Sequence, residues 1–270
     1  MGMVAAKRVF EILDSNYYIN DNGNINSDDI NGDIKFENVN FSYTKNNNVL
    51  NAINLTIKKG EKIAIVGATG SGKSTIIKLI MRLYDIKDGE IKINNKNIKN
   101  FKLSDLRSSI SLVNQDIFLF ADTILKNITL FNEKLSKKDV VKAAKNIGVW
   151  NFINKLPGGL DYNVKERGVM LSEGQRQIIS FLRAYVSKPN ILILDEATSS
   201  IDSKTEELIQ FATNKIIQNK TSIIIAHRLS TIITADKIVV MKSGNIMEIG
   251  SHNDLILSLI HISEPTRHTR

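Results

Sequence analysis

Apolar residues come in short runs along this chain, and their spacing alternates between that of a strand and that of a helix. Residues 34–36, with Val39 and Phe41, form β-type runs, and residues 62–66 have the pattern of a buried strand. After Gly72 the apolar residues recur every three or four positions, as on the buried face of a helix. A strand that enters a glycine-rich turn and then a helix is the start of a βα unit.

The rest of the chain continues this alternation. Helical spacing predicts helices over residues 136–147, 151–156 and 173–186. Runs of β-branched residues predict strands over residues 55–57, 191–194, 222–226 and 237–241. Strands that alternate with helices at this spacing indicate a mostly parallel sheet with helices on its faces. We therefore predict the α/β fold class.

The beginning of the chain differs from the rest. Residues 4–13 place apolar side chains at helical spacing between charged ones, which predicts a short amphipathic helix. Residues 16–33 are crowded with Asn, Asp, Gly and Ser, a composition that cannot bury enough apolar area to order itself and behaves as a linker. We therefore divide the chain into residues 1–33 and a main domain over residues 34–256.

Composition and charge exclude several classes of protein. The formal net charge is +8, but the lysines are scattered and aromatic residues are only 6% of the chain, so we expect no nucleic-acid partner. The absence of cysteine excludes disulfide scaffolds and cysteine-based zinc sites. No apolar run approaches the roughly 20 residues that cross a bilayer. Residues 1–10 also lack the pattern of a signal peptide, so we expect neither a membrane span nor a signal peptide here.

A glycine-rich loop carries the strongest motif in the chain. Residues 67–75 match the phosphate-loop pattern G-x-x-x-x-G-K-[ST], between a predicted strand and a predicted helix. The glycines let backbone N–H groups turn towards phosphate oxygens, and the helix dipole favours the same anion. Lys73 is expected to reach the terminal phosphates of a nucleotide, and Ser74 to give its hydroxyl to Mg²⁺. The predicted nucleotide-binding residues are Gly67, Ala68, Thr69, Gly70, Ser71, Gly72, Lys73, Ser74 and Thr75.

Two consecutive carboxylates follow the apolar run 191–194. Open α/β sheets bind ligands at the carboxyl ends of their strands, which is where Asp195 and Glu196 are expected to lie. Asp195 is expected to approach Mg²⁺, directly or through water, and Glu196 to orient and deprotonate the attacking water. The alternative is that both acids only cap a helix that begins near Ala197. The phosphate loop in the same chain favours the metal and base roles.

A third motif separates the classes of protein that share a phosphate loop. Residues 171–177 read Leu-Ser-Glu-Gly-Gln-Arg-Gln, which resembles the signature LSGGQ of the ABC ATPase family. Glu173 stands where glycine is commoner in that family, and Ser172 and Gly174 are unchanged. The residues themselves predict that Ser172 caps a helix whose N-terminus is a second anion site, with Gly174 allowing close backbone approach.

The resemblance to ABC ATPases covers about residues 34–255, and it implies a fold and an assembly. The implied fold is a phosphate-loop, RecA-like domain with a mostly parallel sheet, an antiparallel β subdomain and an inserted α-helical subdomain at about residues 116–187. In the family two cassettes pack head to tail, so that each ATP lies between the phosphate loop of one chain and the signature of the other. The implied partner is a second ABC cassette, in a homodimer or a heterodimer, whose ATP contacts Ser172, Gly174 and Gln175.

Three further residues acquire roles only through this resemblance. Tyr43 matches the aromatic residue that stacks on adenine, although it would otherwise be an ordinary strand residue. Gln115 matches the glutamine that binds Mg²⁺ and couples it to the membrane half, although it would otherwise be a surface polar residue. His227 matches the histidine that contacts the γ-phosphate, although a lone histidine is more often structural. The predicted catalytic residues are thus Glu196, His227 and Lys73, and the predicted metal ligands are Ser74, Gln115 and Asp195.

Two segments also resemble parts of ABC exporters. Residues 199–202 look like the loop that crosses to the partner's site, and residues 166–168 look like the exporter segment that senses the membrane domains. Residues 4–13 look like the cytoplasmic end of an exporter's last membrane helix. The implied protein is an exporter whose transmembrane domains are the second partner and whose cassette lies at the cytoplasmic face of the membrane.

Two alternatives remain open at this point. One is a free-standing ABC subunit that serves a separate permease, and the other is a regulatory module that binds ATP without hydrolysing it. The presence of Glu196 and His227 argues against the second alternative. The sequence does not indicate the transported substrate, because the membrane domains select it in this family.

The last residues depart from the family pattern. Residues 250–255 still match it, but residues 257–267 can be encoded by a DNA sequence that looks like a sequencing-library transposase adapter. We therefore expect residues 257–270 to be a non-native tail, and the authentic protein to continue differently after about Ile256.

Overall fold

The structure is a computed structural model that describes residues 2–14, 19–26, 30–44, 47–195, 202–226 and 229–256. Its helices are α1 (Gly2–Leu13), α2 (Lys73–Ile80), α3 (Leu103–Ser108), α4 (Ile124–Thr129), α5 (Lys137–Asn146), α6 (Trp150–Asn154), α7 (Glu173–Val186), α8 (Ser203–Ile217) and α9 (Leu229–Ile233). Its strands are β1 (Ile34–Thr44), β2 (Asn47–Ile57), β3 (Lys62–Gly67), β4 (Asp88–Ile93), β5 (Lys96–Asn97), β6 (Ile110–Val113), β7 (Ile191–Asp195), β8 (Thr221–Ile225), β9 (Lys237–Lys242) and β10 (Asn245–Gly250).

The larger sheet positions the functional residues. Its strand order is β10-β9-β3-β8-β7-β6, in which β10 alone is antiparallel to its neighbour among the strands described. The register places Ile65 of β3 opposite Ile225 of β8, and Ile225 opposite Asp195 of β7. The carboxyl ends of these parallel strands therefore meet at one edge of the sheet, which is where such sheets bind ligands.

This sheet is buried on both faces. In β7, Ile191 and Ile193 belong to a core shared with α2 and the second sheet, whereas Leu192 and Leu194 belong to a core shared with the helices. A strand buried on both faces is a continuous apolar run, because successive side chains point to opposite faces. The apolar run 191–194 therefore predicts this strand correctly.

A smaller antiparallel sheet packs beside the first, with strand order β2-β1-β4-β5. The helices α4 to α7 lie between β6 and β7 in the chain, and α7 packs against α4, α5 and α8. The predicted α/β fold class, with a mostly parallel sheet, an antiparallel β part and an inserted helical part, is confirmed. The bounds of the helical part at about residues 116–187 stay a prediction.

The helices predicted over residues 136–147, 151–156 and 173–186 are confirmed within two residues at each end. After β7 the sequence indicated only a helix beginning near Ala197, and it did not predict the bounds of α8, whose buried residues form the narrow stripe Ile209, Ala212 and Ile216. It also missed β6, which is only four residues long. Narrow stripes and very short strands give too few repeats for periodicity to identify them.

The segment before β1 departs from the expectation drawn from its composition. Ile30 is fully buried in the core shared by the two sheets. Ile25 forms a β-bridge with Phe101, and the amides of Asn24 and Ile25 both donate to the carbonyl of Asn100 at 3.0 Å. The prediction that this segment cannot order itself is wrong for the described residues 19–26 and 30–33. Backbone hydrogen bonds, which a composition argument does not count, hold them on the domain.

The structure tests the prediction for the first end of the chain but not for the last. Helix α1 is confirmed at Gly2–Leu13, with Val9, Phe10 and Leu13 exposed. Of the helices described, none combines the length and the apolar composition needed to cross a bilayer. Residues 257–270 lie outside the described residues, so the non-native tail remains a prediction.

A substitution at Asn127 tests how much the hydrogen bonds of this buried side chain contribute to the stability of the fold. Its side chain is fully buried in α4, accepts a hydrogen bond from the amide of Phe120 at 2.8 Å, and donates to the carbonyls of Phe120 and Thr123 at 3.0 Å each. Asn127→Leu should lower the free energy of unfolding by about 2 kcal/mol, because it leaves the part-buried Phe120 amide without its hydrogen-bond partner. Asn151→Leu, at an exposed position of α6, should change it by less than about 0.5 kcal/mol. Urea denaturation measures both, and equal midpoints for the two variants would contradict this account.

Candidate functional site

The phosphate-loop motif forms a tight backbone turn between β3 and α2. Gly72 is the N-cap of α2 with φ 107°, and Gly67 has φ 154°. A Cβ atom at Gly72 would lie 2.6 Å from the Leu50 side chain, and one at Gly67 would overlap the Met241 carbonyl. The loop can therefore follow this path only with glycine at these two positions.

The loop contains N–H and O–H groups that form no hydrogen bond with the described residues. Its Ser71 amide donates to the carbonyl of Ala68 at 3.1 Å, but no described residue accepts from the amides of Gly70, Gly72, Lys73 or Ser74. The hydroxyl of Ser71 is buried and has no hydrogen-bond partner among the residues described. Unpaired amides at a helix N-terminus form an anion site, so the residues present fit a phosphate group.

Lys73 adds a positive charge to this loop. It is 7% exposed, and its Nζ donates to the carbonyls of Gly67 at 2.8 Å and Ala68 at 3.0 Å. No carboxylate in the described part of the chain forms an ion pair with it. A nearly buried ammonium group without an anionic partner favours the binding of an anion nearby.

The strand edge brings further predicted residues towards the loop. Asp195 ends β7 and lies two strands from β3, which is about 10 Å at the usual spacing of strands. Gln115 is exposed two residues after the end of β6, the strand next to β7. Glu196 and His227 lie outside the described residues, although Asp195 and Ala226 directly precede them at this edge. Their roles stay predictions.

The residues present also fit a magnesium ion. The predicted ligands Ser74, Gln115 and Asp195 supply a hydroxyl, an amide carbonyl and a carboxylate, and Mg²⁺ prefers such oxygen ligands. Within the described ranges no three residues among His, Cys, Asp and Glu cluster as a metal site of the protein alone. An ion that keeps several waters and shares the phosphates of a nucleotide does not require such a cluster.

The signature motif forms a capped helix N-terminus. The Ser172 hydroxyl oxygen accepts a hydrogen bond from the Gln175 amide at 3.3 Å, and the Gln175 side chain accepts one from the Ser172 amide at 3.0 Å. This reciprocal capping box confirms that Ser172 is the N-cap of α7. Glu173 is exposed and Gly174 is buried in the first turn. Because the Ser172 oxygen is an acceptor here, its own O–H remains available as a donor.

Tyr43 lies beside the loop within an aromatic group. Its hydroxyl shares a 3.1 Å hydrogen bond with the Thr75 hydroxyl, and its ring lies 4.9 Å from that of Phe41 and 5.0 Å from that of Tyr84. The Lys78 ammonium lies 5.4 Å from the centre of the Tyr43 ring. Tyr43 also lines a cleft of about 940 Å³ to which no residue of the loop 67–75 contributes. Its contact with adenine stays a prediction.

The sequence did not identify the surface beside Gln115. Phe118, Phe120 and Phe131 are exposed, and their rings form edge-to-face pairs 5.2 Å and 5.9 Å apart. A cavity of about 200 Å³ beside them is lined in part by Asn114, Asp116 and Arg183. Burial lowers the pKa of the Arg183 guanidinium, which donates to the Asn127 carbonyl at 2.9 Å. The signal that could have indicated this surface was the presence of three phenylalanines within residues 118–131.

Asp202 is the described end of the predicted crossing loop 199–202, and residues 199–201 lie outside the described residues. The Asp202 side chain caps α8 by accepting from the Thr205 amide at 3.0 Å. Hydrogen bonds from the Thr205 side chain and amide lower the pKa of this carboxyl. Residues 166–168 form a 3-10 turn in which Arg167 has φ 53°.

Comparison with known proteins identifies relatives that match most of the chain. A family model described as ABC transporter matches residues 50–199. The chain is 46% identical over 257 residues to the "Uncharacterized ABC transporter ATP-binding protein YknV" of Bacillus subtilis, covering 95% of this chain and 42% of that protein. It is 46% identical over 250 residues to a "Putative multidrug export ATP-binding/permease protein" of Staphylococcus aureus, covering 92% of this chain and 43% of that protein.

A solved structure is also similar. The structure of a bacterial Atm1-family ABC exporter with ATP bound matches 98% of this chain and 48% of that chain, with a TM-score of 0.84 and 34% sequence identity. This chain therefore spans less than half the length of each of these three proteins.

Lys73→Ala should weaken ATP binding about 10- to 100-fold, because a charged hydrogen bond to the terminal phosphates is lost. Lys145→Ala, which removes the same charge from an exposed position of α5, should leave the affinity unchanged. Equilibrium titration with a fluorescent ATP analogue measures both variants. Equal affinities for Lys73→Ala and the parent chain would refute the assignment of the phosphate loop.

Proposed function

We propose that this chain, which belongs to the ABC transporter family, is the ATP-binding and ATP-hydrolysing cassette that powers an ABC exporter. Members of this family hydrolyse ATP to power transport. The observation that carries the proposal is the loop of unpaired amides and nearly buried Lys73, on the same sheet edge as the acidic end of β7. The exporter assignment is supported by the names of the relatives.

The loop holds the phosphates of ATP. The amides of Gly70, Gly72, Lys73 and Ser74 donate to phosphate oxygens, and the dipole of α2 adds to the attraction. The Lys73 ammonium leaves the carbonyls of Gly67 and Ala68 for the terminal phosphates, which are stronger acceptors because they are charged. Tyr43 offers its ring to the adenine base.

Hydrolysis then requires a positioned water and a means of stabilising charge. Glu196 orients and deprotonates the water, and His227 contacts the γ-phosphate and helps to hold the water and Glu196 in position. Ser74, Gln115 and Asp195 would hold Mg²⁺, which would supply positive charge beside the terminal phosphates. This arrangement is supported by the strand register, since Asp195 ends β7 and Ala226 directly follows the neighbouring strand β8, at the edge where the loop begins.

The signature acts on the nucleotide of a second cassette. Ser172 keeps its O–H as a donor at the N-terminus of α7, but it belongs to a separate helix from the phosphate loop. One chain therefore presents two anion sites, and a head-to-tail dimer uses both around each ATP. Glu173 places a carboxylate in this first turn, so its negative charge opposes the approach of the partner's phosphate.

The transmembrane domains of the exporter are the other partner. The exposed rings of Phe118, Phe120 and Phe131 lie in the segment that follows Gln115, and an exposed apolar surface of this kind suits a protein partner. Residues 166–168 contribute a second sensing segment. The cassette accordingly acts at the cytoplasmic face of the membrane.

Glu196→Gln should lower the rate of ATP hydrolysis about 10²- to 10⁴-fold while ATP binding is retained, because the amide keeps the size of the side chain but is not a base. Asp195→Asn should instead weaken Mg²⁺ dependence and nucleotide retention together. Phosphate release and ATP affinity, measured across Mg²⁺ concentrations, separate the two effects. Glu207→Gln makes the same chemical change on the exposed surface of α8 and should have no effect.

The outcome also decides between this proposal and the alternative of a regulatory module. Parental turnover in Glu196→Gln would show that another group positions the water. A parent chain that binds ATP but shows no turnover as a dimer would favour the regulatory module that binds ATP without hydrolysing it.

A further inference from the structure

The C-terminal end of α2 carries an arginine in a backbone conformation that usually belongs to glycine. Arg82 has φ 48°. Its amide donates to the Leu79 carbonyl at 3.0 Å, and the Leu83 amide donates to the Lys78 carbonyl at 2.8 Å. These two bonds define a Schellman motif, in which the left-handed residue is most often glycine. A side chain at this position strains the backbone, so its contacts must compensate for the strain.

The Arg82 side chain joins three parts of the chain. It is 3% exposed, and its guanidinium donates to the Asp85 carboxylate at 2.9 Å, the Lys99 carbonyl at 3.3 Å and the Asn20 carbonyl at 2.8 Å. The Asn20 carbonyl belongs to residues 19–26, which we call the docked segment. This segment lies between α1 and the sheet in sequence. A buried arginine therefore links the docked segment directly to the end of the phosphate-loop helix.

Further contacts fix both sides of this link. Arg107 donates to the carbonyls of Met81 at 3.3 Å and Arg82 at 2.9 Å, and its charge suits the negative end of the α2 dipole. The Asp21 carboxylate accepts from the Leu103 amide at 2.9 Å. Gly23 approaches Phe101 so closely that a Cβ atom would overlap the Phe101 carbonyl. The docked segment is thus held at several points along its length.

We propose that Arg82 is a positioning residue that couples the docked segment to the nucleotide site, so that ATP binding and docking of residues 19–26 strengthen each other. The eight residues of α2 span only about 12 Å, with the phosphate loop at one end and Arg82 at the other. Ordering the N-terminus of so short a helix around phosphates also orders its C-terminus. The proposal rests on the proposed ATP site. It couples the residues before β1 to that site through α2, in addition to any coupling through the segments around Gln115 and Glu166.

The thermodynamic linkage between ATP binding and docking of residues 19–26 provides a test, because a residue with only a structural role would not change both in the same proportion. If ATP strengthens docking by some factor, docking must strengthen ATP binding by the same factor. Hydrogen exchange at the amides of Ile25, Lys102 and Leu103 reports docking, because these amides donate across the contact between the docked segment and residues 100–103. The experiment uses the full chain with and without a non-hydrolysable ATP analogue and Mg²⁺.

In the parent chain the analogue should slow exchange at these amides at least about 5-fold, the lower end of typical allosteric couplings. Arg82→Gly should abolish this effect and weaken analogue binding by the same factor. The variant keeps a residue that adopts the left-handed conformation readily, so the end of α2 is not disrupted. Asp21→Ala loosens the docked segment without touching α2, and it should also weaken analogue binding.

Asp161→Ala is the matched control, because it removes an exposed carboxylate whose partner is Lys137 and should change neither quantity. Analogue binding that leaves exchange at these amides unchanged would overturn the proposal. So would an Arg82→Gly variant that loosens the docked segment but binds the analogue as the parent does. A parent chain that fails to bind the analogue would instead refute the ATP site, and with it this proposal.

Discussion

The parallel pairing of β3, β8 and β7 is the constraint on which the rest of the molecule depends. Because the three strands run in one direction, the phosphate loop, Asp195 and Ala226 all lie at the same edge of the sheet. The pairing is secured by apolar side chains on both faces, so a shift of register would expose the core. Strand pairing and burial together therefore bring residues distant in sequence to one edge of the sheet.

The site itself depends on groups left without partners. The amides of Gly70, Gly72, Lys73 and Ser74 and the Ser71 hydroxyl have no partner in the described chain, and the Lys73 ammonium has carbonyl partners but no anionic one. Leaving buried donors unpaired destabilises a fold, so the surrounding structure must hold the loop in place. Gly67 and Gly72 allow its path, and Arg82 and Arg107 secure the opposite end of the helix. Stability at one end of α2 thus supports binding at the other.

The sequence predicted the parts of this protein whose signals are local. The phosphate loop and the cap at Ser172 follow from residues within a few positions of one another, and both have the predicted geometry. The roles of Arg82 and the docked segment could not be predicted, because they depend on carbonyls that only the folded chain brings together. In the sequence Arg82 is one of 36 basic residues, with nothing to mark its left-handed backbone. Glu196 and His227 lie outside the described residues, so their positions remain predictions from the motifs.

The central proposal is that this chain closes head to tail with a second ABC cassette around ATP, and a second copy of the chain can serve as that cassette in a test. The chain has no cysteine, so single cysteines can be introduced at Ala68 in the phosphate loop and at Glu173 in the signature. Both positions are exposed, and the phosphate-loop pattern leaves residue 68 open. The measurement is the yield of dimer after a short bismaleimide cross-linker is added to each variant alone and to their mixture, with ATP and Mg²⁺. The account predicts ATP-dependent cross-linking in the mixture and little in either variant alone, and equal yields in all three samples would contradict it.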